Sequence, residues 1–465
     1  MRFRTGILNC AIVTALTLLC GCGSVSTKRK FYEPITAELH SGKPGSSAAM
    51  LERAREEDEY GEKDRLVYFL DAGLLNHYAD SYQVSIDKLQ LAEAAAEELF
   101  TKSISKAALS LLLNDNVLDY SGEDYEILYA NLINALNYIH QDRFDDAFVE
   151  IRRANLKLDL LEQKYGDAAA EFQRGLEQDT HQVNITFEAE KVRFQNDAFA
   201  RYLSMHMYAA DGKMDDARID HEYLTKAFQT QPHIYDFPMP EVKYYSEDKS
   251  VLSIVGLAGL CPIKEPLRLR IRTDKQLNLV QVLYDGPEKE DVEYGHLPMR
   301  VSEDYYFKFA IPVLVQRPSR VGRIKVLVNG ESIGQLQLLE DIGKVAEETF
   351  SAKKSLIYLR SLARAVVKGL AAHRMKEKND DGNFGGWLKK VAIDVATDIT
   401  EDADLRCGHF LPGMIYVGDF EIEPGTYDIT IEFYDTYGNF IERTDYEAYQ
   451  LQERGLNMLR AYSVK

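Results

Sequence analysis

Three serine and lysine pairs in this 465-residue chain have the spacing of an acyl-transfer motif. Penicillin-interacting enzymes use Ser-x-x-Lys to place a lysine beside a nucleophilic serine. The pairs are Ser85 with Lys88, Ser103 with Lys106, and Ser351 with Lys354. Neither Ser-Asp-Asn nor Lys-Thr-Gly accompanies them, and the chain has no His-Glu-x-x-His, Gly-x-Ser-x-Gly or Walker motif. We therefore predict no catalytic residue.

A glycine-rich stretch and an acidic stretch lie next to each other at 379–386. The glycine-rich part, 382–386, lacks the rest of a phosphate-binding loop, so we interpret it as a hinge before a helix. The acidic part, 379–381, lacks the spaced carboxylates of a calcium loop and is typical of a solvated turn. No Cys-x-x-Cys or histidine-rich spacing is present. We expect neither a metal nor a cofactor.

Arg360, Arg364 and Lys368 recur every four residues, which places them in one row on a helix. Such a row is a candidate anion-binding site. The alternative is that these cations pair with the chain's own carboxylates or line a solvated edge. The whole chain carries a formal net charge of −19. Binding to the phosphates of a nucleic acid needs a basic protein surface, so we expect no nucleic-acid partner.

The amino terminus has the features of a secreted lipoprotein. Arg2 and Arg4 precede an apolar run that is too short to span a bilayer, which is typical of a signal peptide at 1–21. The run ends in Leu19-Cys20-Gly21-Cys22, which resembles a lipobox and predicts acylation of Cys22. A plain signal peptide or an amino-terminal anchor is the alternative. Because Gly23 is not aspartate, we expect an outer-membrane protein facing the periplasm. Residues 22–50 include Ser41-Gly42-Lys43-Pro44-Gly45, and this composition predicts a flexible tether between the lipid and the body.

Two further cysteines remain after Cys22 is assigned to the lipid. Cys261 and Cys407 can pair in an oxidising compartment or remain two separate buried thiols. The sequence leaves both readings open.

Residues 51–234 contain few Gly and Pro residues and show a sustained helical period. Three segments align from starts at Leu66, Leu128 and Ala198. They share small residues at positions 8 and 20 and bulky residues near positions 11 and 24. This pattern resembles the tetratricopeptide repeat (TPR), in which two antiparallel helices approach closely.

Stacked TPR-like pairs present a concave face that binds partner proteins in that family. Four residues on the first helices of the pairs are therefore candidate partner contacts: Tyr129, Asn131, Asn134 and Arg201. The alternative is that the helices only support the carboxyl-terminal half.

Beyond residue 235 the hydrophobic period changes from helical to two, which predicts strands. Leu267, Leu269 and Ile271 alternate with arginines, and Asn329-Gly330 is a strong hairpin signal between two apolar runs. Helical periodicity returns at 341–400. We therefore predict one β-rich domain, 235–465, whose parts at 248–340 and 405–465 form a sandwich, with a helical hairpin at 341–400 inserted between them.

Short motifs in this half resemble a family of uncharacterised bacterial lipoproteins that pair a TPR-like half with a β domain. They are the basic row described above, Asp404-x-Arg406 with Leu411-Pro412, and Pro424-Gly425. The resemblance implies an α+β protein, in which a TPR-like α-solenoid precedes a β-sandwich-like domain with an inserted helical hairpin. It implies no known reaction.

We expect a non-enzymatic, lipid-anchored envelope protein whose TPR-like repeats act as a protein interaction scaffold. Its partners would be the membrane, through the lipid, and an unknown envelope protein. The second hypothesis is an accessory regulator of peptidoglycan synthesis or envelope assembly that binds an enzyme or a glycan through the β domain. The third is a hydrolase with an unrecognised site.

Overall fold

The computed structural model describes residues 29–107, 119–160, 193–274, 276, 279–284, 293–298, 306–351, 353, 354, 357 and 403–465. The protein is a mixed α+β structure, as predicted. Several sequence predictions lie outside the described residues: the signal peptide, the lipidation site Cys22, the basic row Arg360, Arg364 and Lys368, and the stretch 379–386.

Helices follow one another in pairs joined by turns of three or four residues. The pairs are α1 (Tyr32–His40) with α2 (Pro44–Glu56), α3 (Arg65–Tyr78) with α4 (Tyr82–Ala107), α5 (Asp124–Ile139) with α6 (144–160), and α7 (Ala198–Ala210) with α8 (Met214–Thr230). The last three pairs coincide with the three segments that align in the sequence.

The turns of these three pairs have the same backbone geometry. Position 15 of each segment is in the left-handed region, with φ of 55° at Asp80, 56° at Asp142 and 73° at Gly212. The next N–H then donates a 2.9 Å hydrogen bond to the carbonyl five residues earlier, and the acceptors are Asn76, Tyr138 and Tyr208. This is the 6→1 bond of a Schellman motif, which closes the carboxyl end of the first helix. The three segments are therefore structurally equivalent at their turns.

The predicted tether is wrong from Tyr32 onward, because α1 and α2 form a further pair of the same kind. Gly42 takes the left-handed position, with φ of 79°, and Pro44 begins α2, where its missing N–H costs nothing. Ser47 Oγ donates to the carbonyl of Ile35, just as Ser85 Oγ donates to that of Gly73 in the next pair. The Gly, Ser and Pro residues that suggested flexibility are thus turn and packing residues.

Small residues bring the paired helices together. A Cβ on Gly73 would lie 2.6 Å from the side chain of Leu89 on α4, so only glycine fits without movement. Ala147 and Ala217, at position 20 of their segments, are fully buried. The structure therefore shows the predicted close approach at Gly73 and buries the two alanines at position 20.

Twelve strands are described in the second half of the chain. They are β1 (Ser250–Leu260), β2 (Ile263–Asp274), β3 (Leu279–Tyr284), β4 (Glu293–Pro298), β5 (Tyr306–Val315), β6 (Val321–Val328), β7 (Glu331–Gln335), β8 (Gln337–Asp341), β9 (Pro412–Ile422), β10 (Gly425–Asp435), β11 (Phe440–Leu451) and β12 (Asn457–Ser463). Asn329 and Gly330 both have positive φ, as a type I′ hairpin turn requires. The predicted β6–β7 hairpin is confirmed.

The described strands form three four-stranded sheets: sheet 1 (β12-β1-β9-β8), sheet 2 (β11-β10-β6-β7) and sheet 3 (β4-β3-β2-β5). Strands from both β-rich parts of the chain pair within sheets 1 and 2, β1 with β9 and β6 with β10. Buried residues of these two sheets share one hydrophobic cluster that includes Ile254, Leu459, Ile324 and Phe433. Helix α9 (342–351) follows β8 and buries one stripe, as predicted for the start of the insertion.

The other face of sheet 1 packs against the helical pairs. One hydrophobic cluster contains helix residues such as Leu70 and Leu132 together with sheet 1 residues such as Leu257 and Val417. Since apolar burial is the main stabilising force in folding, this cluster joins the two halves. The chain's own β domain covers the first helices of the pairs.

Candidate functional site

Residues 403–412 form a segment that runs between the helical pairs and sheet 1, and we call it the junction segment. Its apolar side chains at Cys407, Phe410 and Leu411 are fully buried. The segment has no regular secondary structure before β9 begins at Pro412, so its backbone polar groups need partners from elsewhere. The helices supply them.

Asp71, on α3, is a fully buried carboxyl that holds the junction segment. Its Oδ1 accepts the backbone N–H of His409 at 2.8 Å, and its Oδ2 accepts the hydroxyls of Tyr32 and Tyr60 at 2.8 and 3.0 Å. Burial raises the pKa of Asp71 to about 7 even though these three donors favour the charged form. The group therefore titrates near neutral pH.

Glu126, on α5, holds the junction segment at Gly408, one residue before the His409 that Asp71 holds. It accepts the backbone N–H groups of Gly408 and Glu123 at 2.7 and 2.8 Å and the hydroxyl of Tyr120 at 2.7 Å. Burial also raises the pKa of this carboxyl. A Cβ on Gly408 would lie 2.6 Å from Leu70 of α3, so glycine is required for this close approach.

A buried network of charges lies beside Glu126. Lys264 of β2 and Lys353 both donate to Glu123, Lys353 at 2.9 Å. Burial alone would raise the pKa of Glu123, but the two ammonium groups hold it below its usual value. Lys264 also lies 5.0 Å from the centre of the Tyr120 ring, in cation–π contact.

Arg406 anchors the start of the junction segment. Its guanidinium donates to both oxygens of Asp404 at 2.8 Å and to Asp64 at 3.2 Å. The Asp404-x-Arg406 motif noted in the sequence is thus an intramolecular ion pair that reaches the turn before α3. Because the pair is bidentate and its arginine is buried, it fixes geometry better than a surface pair would.

His409 closes the other side of the junction. Its ring stacks on Tyr32 with ring centres 3.5 Å apart and planes 7° from parallel. Arg317 donates to the carbonyls of His409 and Cys261 at 2.7 and 2.6 Å. Burial and the charge of Arg317 lower the pKa of His409, so the ring is neutral near neutral pH.

Cys261 and Cys407 are both buried free thiols. Burial raises the pKa of Cys407 to about 12 and that of Cys261 well above its usual value. Thiols react as thiolates, so these two side chains act as small apolar groups in the core. Of the two readings that the sequence left open, the structure has the separate thiols.

Ser253, His206 and Asp419 meet where α7 contacts sheet 1, which raises the question of a hydrolase triad. Ser253 Oγ lies 3.2 Å from His206 Nδ1, and His206 Nε2 lies 3.2 Å from Asp419 Oδ1 but outside hydrogen-bond geometry. The Tyr202 hydroxyl occupies that carboxylate oxygen at 2.7 Å, and the Lys243 N–H occupies the other at 2.9 Å. Ser253 is 1% exposed and therefore lies below the surface of the described structure. This arrangement stabilises the contact between the halves.

Ser85 and Lys88, one of the three serine and lysine pairs, also have structural roles. Ser85 Oγ donates to Gly73 O and accepts from Asn137, while Lys88 donates to Glu52 and to the Tyr68 hydroxyl. The hydroxyl and the amine therefore already have partners in the helical half.

The predicted concave contacts are wrong for three of four residues, because these side chains are buried. Tyr129 donates to Asp197 at 2.8 Å. Asn131 donates to Glu93 and Glu150, and Asn134 accepts from Asn137. The prediction assumed an open groove, whereas α5 is enclosed by neighbouring elements. The fourth residue, Arg201, is partly buried, bonded to Asp220 at 3.1 Å and placed over the Tyr223 ring.

Asp71 and Glu126, the residues that hold the junction segment, were not predicted from the sequence. Both lie in helical stretches where an acidic residue normally faces water, so no local signal marks them. Within the junction segment, the sequence indicated Asp404-x-Arg406 with Leu411-Pro412, through a family resemblance, and Cys407, as a possible disulfide partner.

Within the described ranges, no helix has the length and apolarity needed to cross a membrane. In the same ranges, no three His, Cys, Asp or Glu side chains are grouped so that they could hold a metal ion. The chain matches no protein-family model, and no curated protein or solved structure is significantly similar to it.

Proposed function

We propose that the chain is a non-enzymatic, lipid-anchored envelope protein in which TPR-like helical pairs and a sandwich-like β domain form one interaction scaffold. The lipobox at Leu19-Cys20-Gly21-Cys22 supports a lipid anchor in the outer membrane, with the body in the periplasm. The equivalent turns of the helical pairs support the comparison with TPR proteins.

The partner surface of this proposal is the outside of the second helices, because the inside of the first helices is already covered. Eight of the thirteen exposed large hydrophobic side chains in the described part of the chain lie on α4, α6 and α8. We call them the outer apolar face: Val84, Leu91, Phe144, Val149, Leu156, Leu160, Ile219 and Tyr223. This concentration on equivalent helices is the observation that carries the proposal.

The outer apolar face also follows the repeat. Val149 on α6 and Ile219 on α8 hold the same position of their segments, and both are exposed, at 36% and 41%. Tyr223 lies one turn after Ile219, is 43% exposed, and has Arg201 stacked beneath its ring at 4.7 Å. An aromatic side chain supported by arginine is the kind of anchor that dominates protein interfaces.

Photo-crosslinking in intact cells tests this proposal. A photoreactive amino acid is placed at Ile219 or Tyr223, and the matched control carries it at Tyr437 on the turn between β10 and β11. We expect the same discrete adduct with an envelope protein from both helix positions and not from Tyr437. If neither helix position gives a discrete adduct, the outer apolar face is not the partner surface.

One observation favours a second candidate, a regulator that binds through the β domain. Tyr437 and Phe440, at the turn between β10 and β11, are 90% and 55% exposed. Exposed aromatic rings can stack on the apolar faces of sugars or insert into a protein partner. An adduct from Tyr437 alone, to peptidoglycan or to an enzyme that makes it, would replace the first proposal by this one.

A further inference from the structure

A buried arginine joins the last strand of sheet 1 to the turn between α3 and α4. Arg460, on β12, is 3% exposed, and its Nη2 donates to Asp80 and, at 3.3 Å, to the hydroxyl of Tyr82. Its Nε and Nη1 have no hydrogen-bond partner among the described residues. Asp80 is itself 68% exposed. The guanidinium is therefore buried with a single carboxylate that is largely in water.

Two histidines from neighbouring helical pairs lie in the same region. Asn137 Nδ2 donates to Ser85, which leaves its Oδ1 facing His77 Nδ1 at 2.6 Å. Because an amide oxygen can only accept, the proton between these two atoms belongs to His77 Nδ1. His77 Nε2 is then an unprotonated acceptor. Neither His77 Nε2 nor His140 Nε2 has a partner among the described side chains and backbone. Burial and the charge of Arg460 lower the pKa of both rings, that of His140 to about 3.

These groups converge on one aromatic ring. The centre of the Tyr82 ring lies 5.0 Å from that of His140, 6.3 Å from that of His77, and 5.6 Å from the Arg460 guanidinium carbon. Tyr82 and His140 are partly exposed, whereas His77 is fully buried. The cluster therefore reaches from the surface at Asp80 into the contact between the helical pairs and sheet 1.

We propose that Arg460, His77, His140 and Tyr82 form a binding site for one small oxyanion, best matched by hydrogen phosphate. A buried cation with unused N–H groups is costly unless an anion both accepts those hydrogen bonds and balances the charge. Arginine donors suit the oxygens of phosphate. The hydroxyl of hydrogen phosphate can also donate to the unprotonated His77 Nε2. A water molecule could accept the hydrogen bonds, but Asp80, which is largely in water, would then be the one carboxylate paired with Arg460 among the described residues.

Asp80 would compete with the anion, because both bind the guanidinium of Arg460. Replacing it with asparagine removes that negative charge and keeps a residue that tolerates the left-handed backbone. Asp142 provides a matched control, since it has the same position and the same φ in the next helical pair and is exposed. No hydrogen bond or ion pair joins Asp142 to Arg460 among the described contacts.

Isothermal titration calorimetry with inorganic phosphate tests the site on the full chain in detergent, at constant ionic strength set with chloride. We expect one phosphate per chain in the parent, binding that is about threefold tighter or more in Asp80→Asn, and no change in Asp142→Asn. Arg460→Gln should abolish binding. If that variant does not fold, the two aspartate variants still decide the question.

Two results would overturn the site. One is the absence of phosphate binding in both the parent and Asp80→Asn. The other is an equal response of Asp80→Asn and Asp142→Asn, which would show a general charge effect. Sulfate, which carries no hydroxyl at neutral pH, should bind more weakly than phosphate. Equal binding of the two anions would refute the assigned contact with His77.

Discussion

The backbone N–H of His409 lies 2.8 Å from Oδ1 of Asp71, although 338 residues separate them in the chain. The neighbouring N–H, that of Gly408, is held in the same way by Glu126. Two carboxyl groups, each on the first helix of a pair, thus accept hydrogen bonds from two consecutive backbone N–H groups of the junction segment. The helical pairs therefore hold a segment of their own chain through its backbone.

We expect Asp71 to make stability fall as the pH rises from about 4 to about 7. Its pKa is about 7 in the folded protein and about 3.9 in an unfolded chain. Because the folded state binds this proton more tightly, the contribution is complete below the unfolded pKa and is lost as the pH approaches the folded pKa. Asp71→Asn cannot ionise, so its free energy of unfolding should fall less over this range in denaturant titrations.

Part of the pH dependence should remain in that variant. Burial also raises the pKa of Asp197 to about 6 and that of Glu340 well above its usual value. Asp142→Asn, on the surface, should keep the full dependence of the parent. Parallel curves for the parent and Asp71→Asn would show that Asp71 is not the titrating group.

Removing Lys264 should destabilise the protein strongly. Lys264→Met leaves Glu123 buried with Lys353 as its remaining ammonium partner, and breaking a buried pair from one side typically costs about 3–5 kcal/mol. Adding Glu123→Gln should recover part of that loss, because the uncompensated charge is gone. Chemical denaturation of both variants measures this coupling. An unchanged midpoint in Lys264→Met would mean that the pair contributes nothing to the junction.

Ala147→Leu and Ala217→Leu should each destabilise the helical pairs. Both alanines are fully buried at position 20, and overpacking of such a site typically costs about 1–3 kcal/mol. Thermal melts measure the effect. Lys213→Ala, at an exposed turn residue, is the control and should melt with the parent. If both leucine variants melt at the same temperature as the parent, the alignment of the helical pairs is wrong.

Cys22→Ser should release the protein from the membrane fraction and abolish lipid labelling. The reason is that Leu19-Cys20-Gly21-Cys22 is the only lipobox-like sequence at the end of the apolar run. Fractionation and labelling with a fatty-acid analogue measure the two effects. Cys261→Ser is a suitable control, since that thiol lies in the core. A Cys22→Ser protein that still takes up lipid would exclude acylation at this residue.

Features set by short stretches of chain were predictable. The Asn329-Gly330 turn and the alternating strand β2 follow from local backbone preference and periodicity. Local preference also misled in one place. Gly42 and Pro44 suggested a tether, but the same residues shape the turn between α1 and α2.

The junction was not predictable because its partners are distant in the chain. Nothing near Asp71 indicates that His409 will lie beside it. The error at Tyr129 and Asn131 has the same origin, since helical period identifies a polar or aromatic face but not what covers it. When the two halves of a chain bury residues between them, those residues cannot be identified from the sequence of single segments.

The early start of α1 limits how far the body of the proposed lipid-anchored protein can lie from a membrane. Ten residues separate the proposed acylated Cys22 from Tyr32, and Tyr32 is fixed to the body by its bond to Asp71. Ten residues reach at most about 35 Å, compared with about 95 Å for the 28-residue tether expected from sequence. In the proposed lipid-anchored protein, the end of the body that carries α1 therefore stays close to the bilayer.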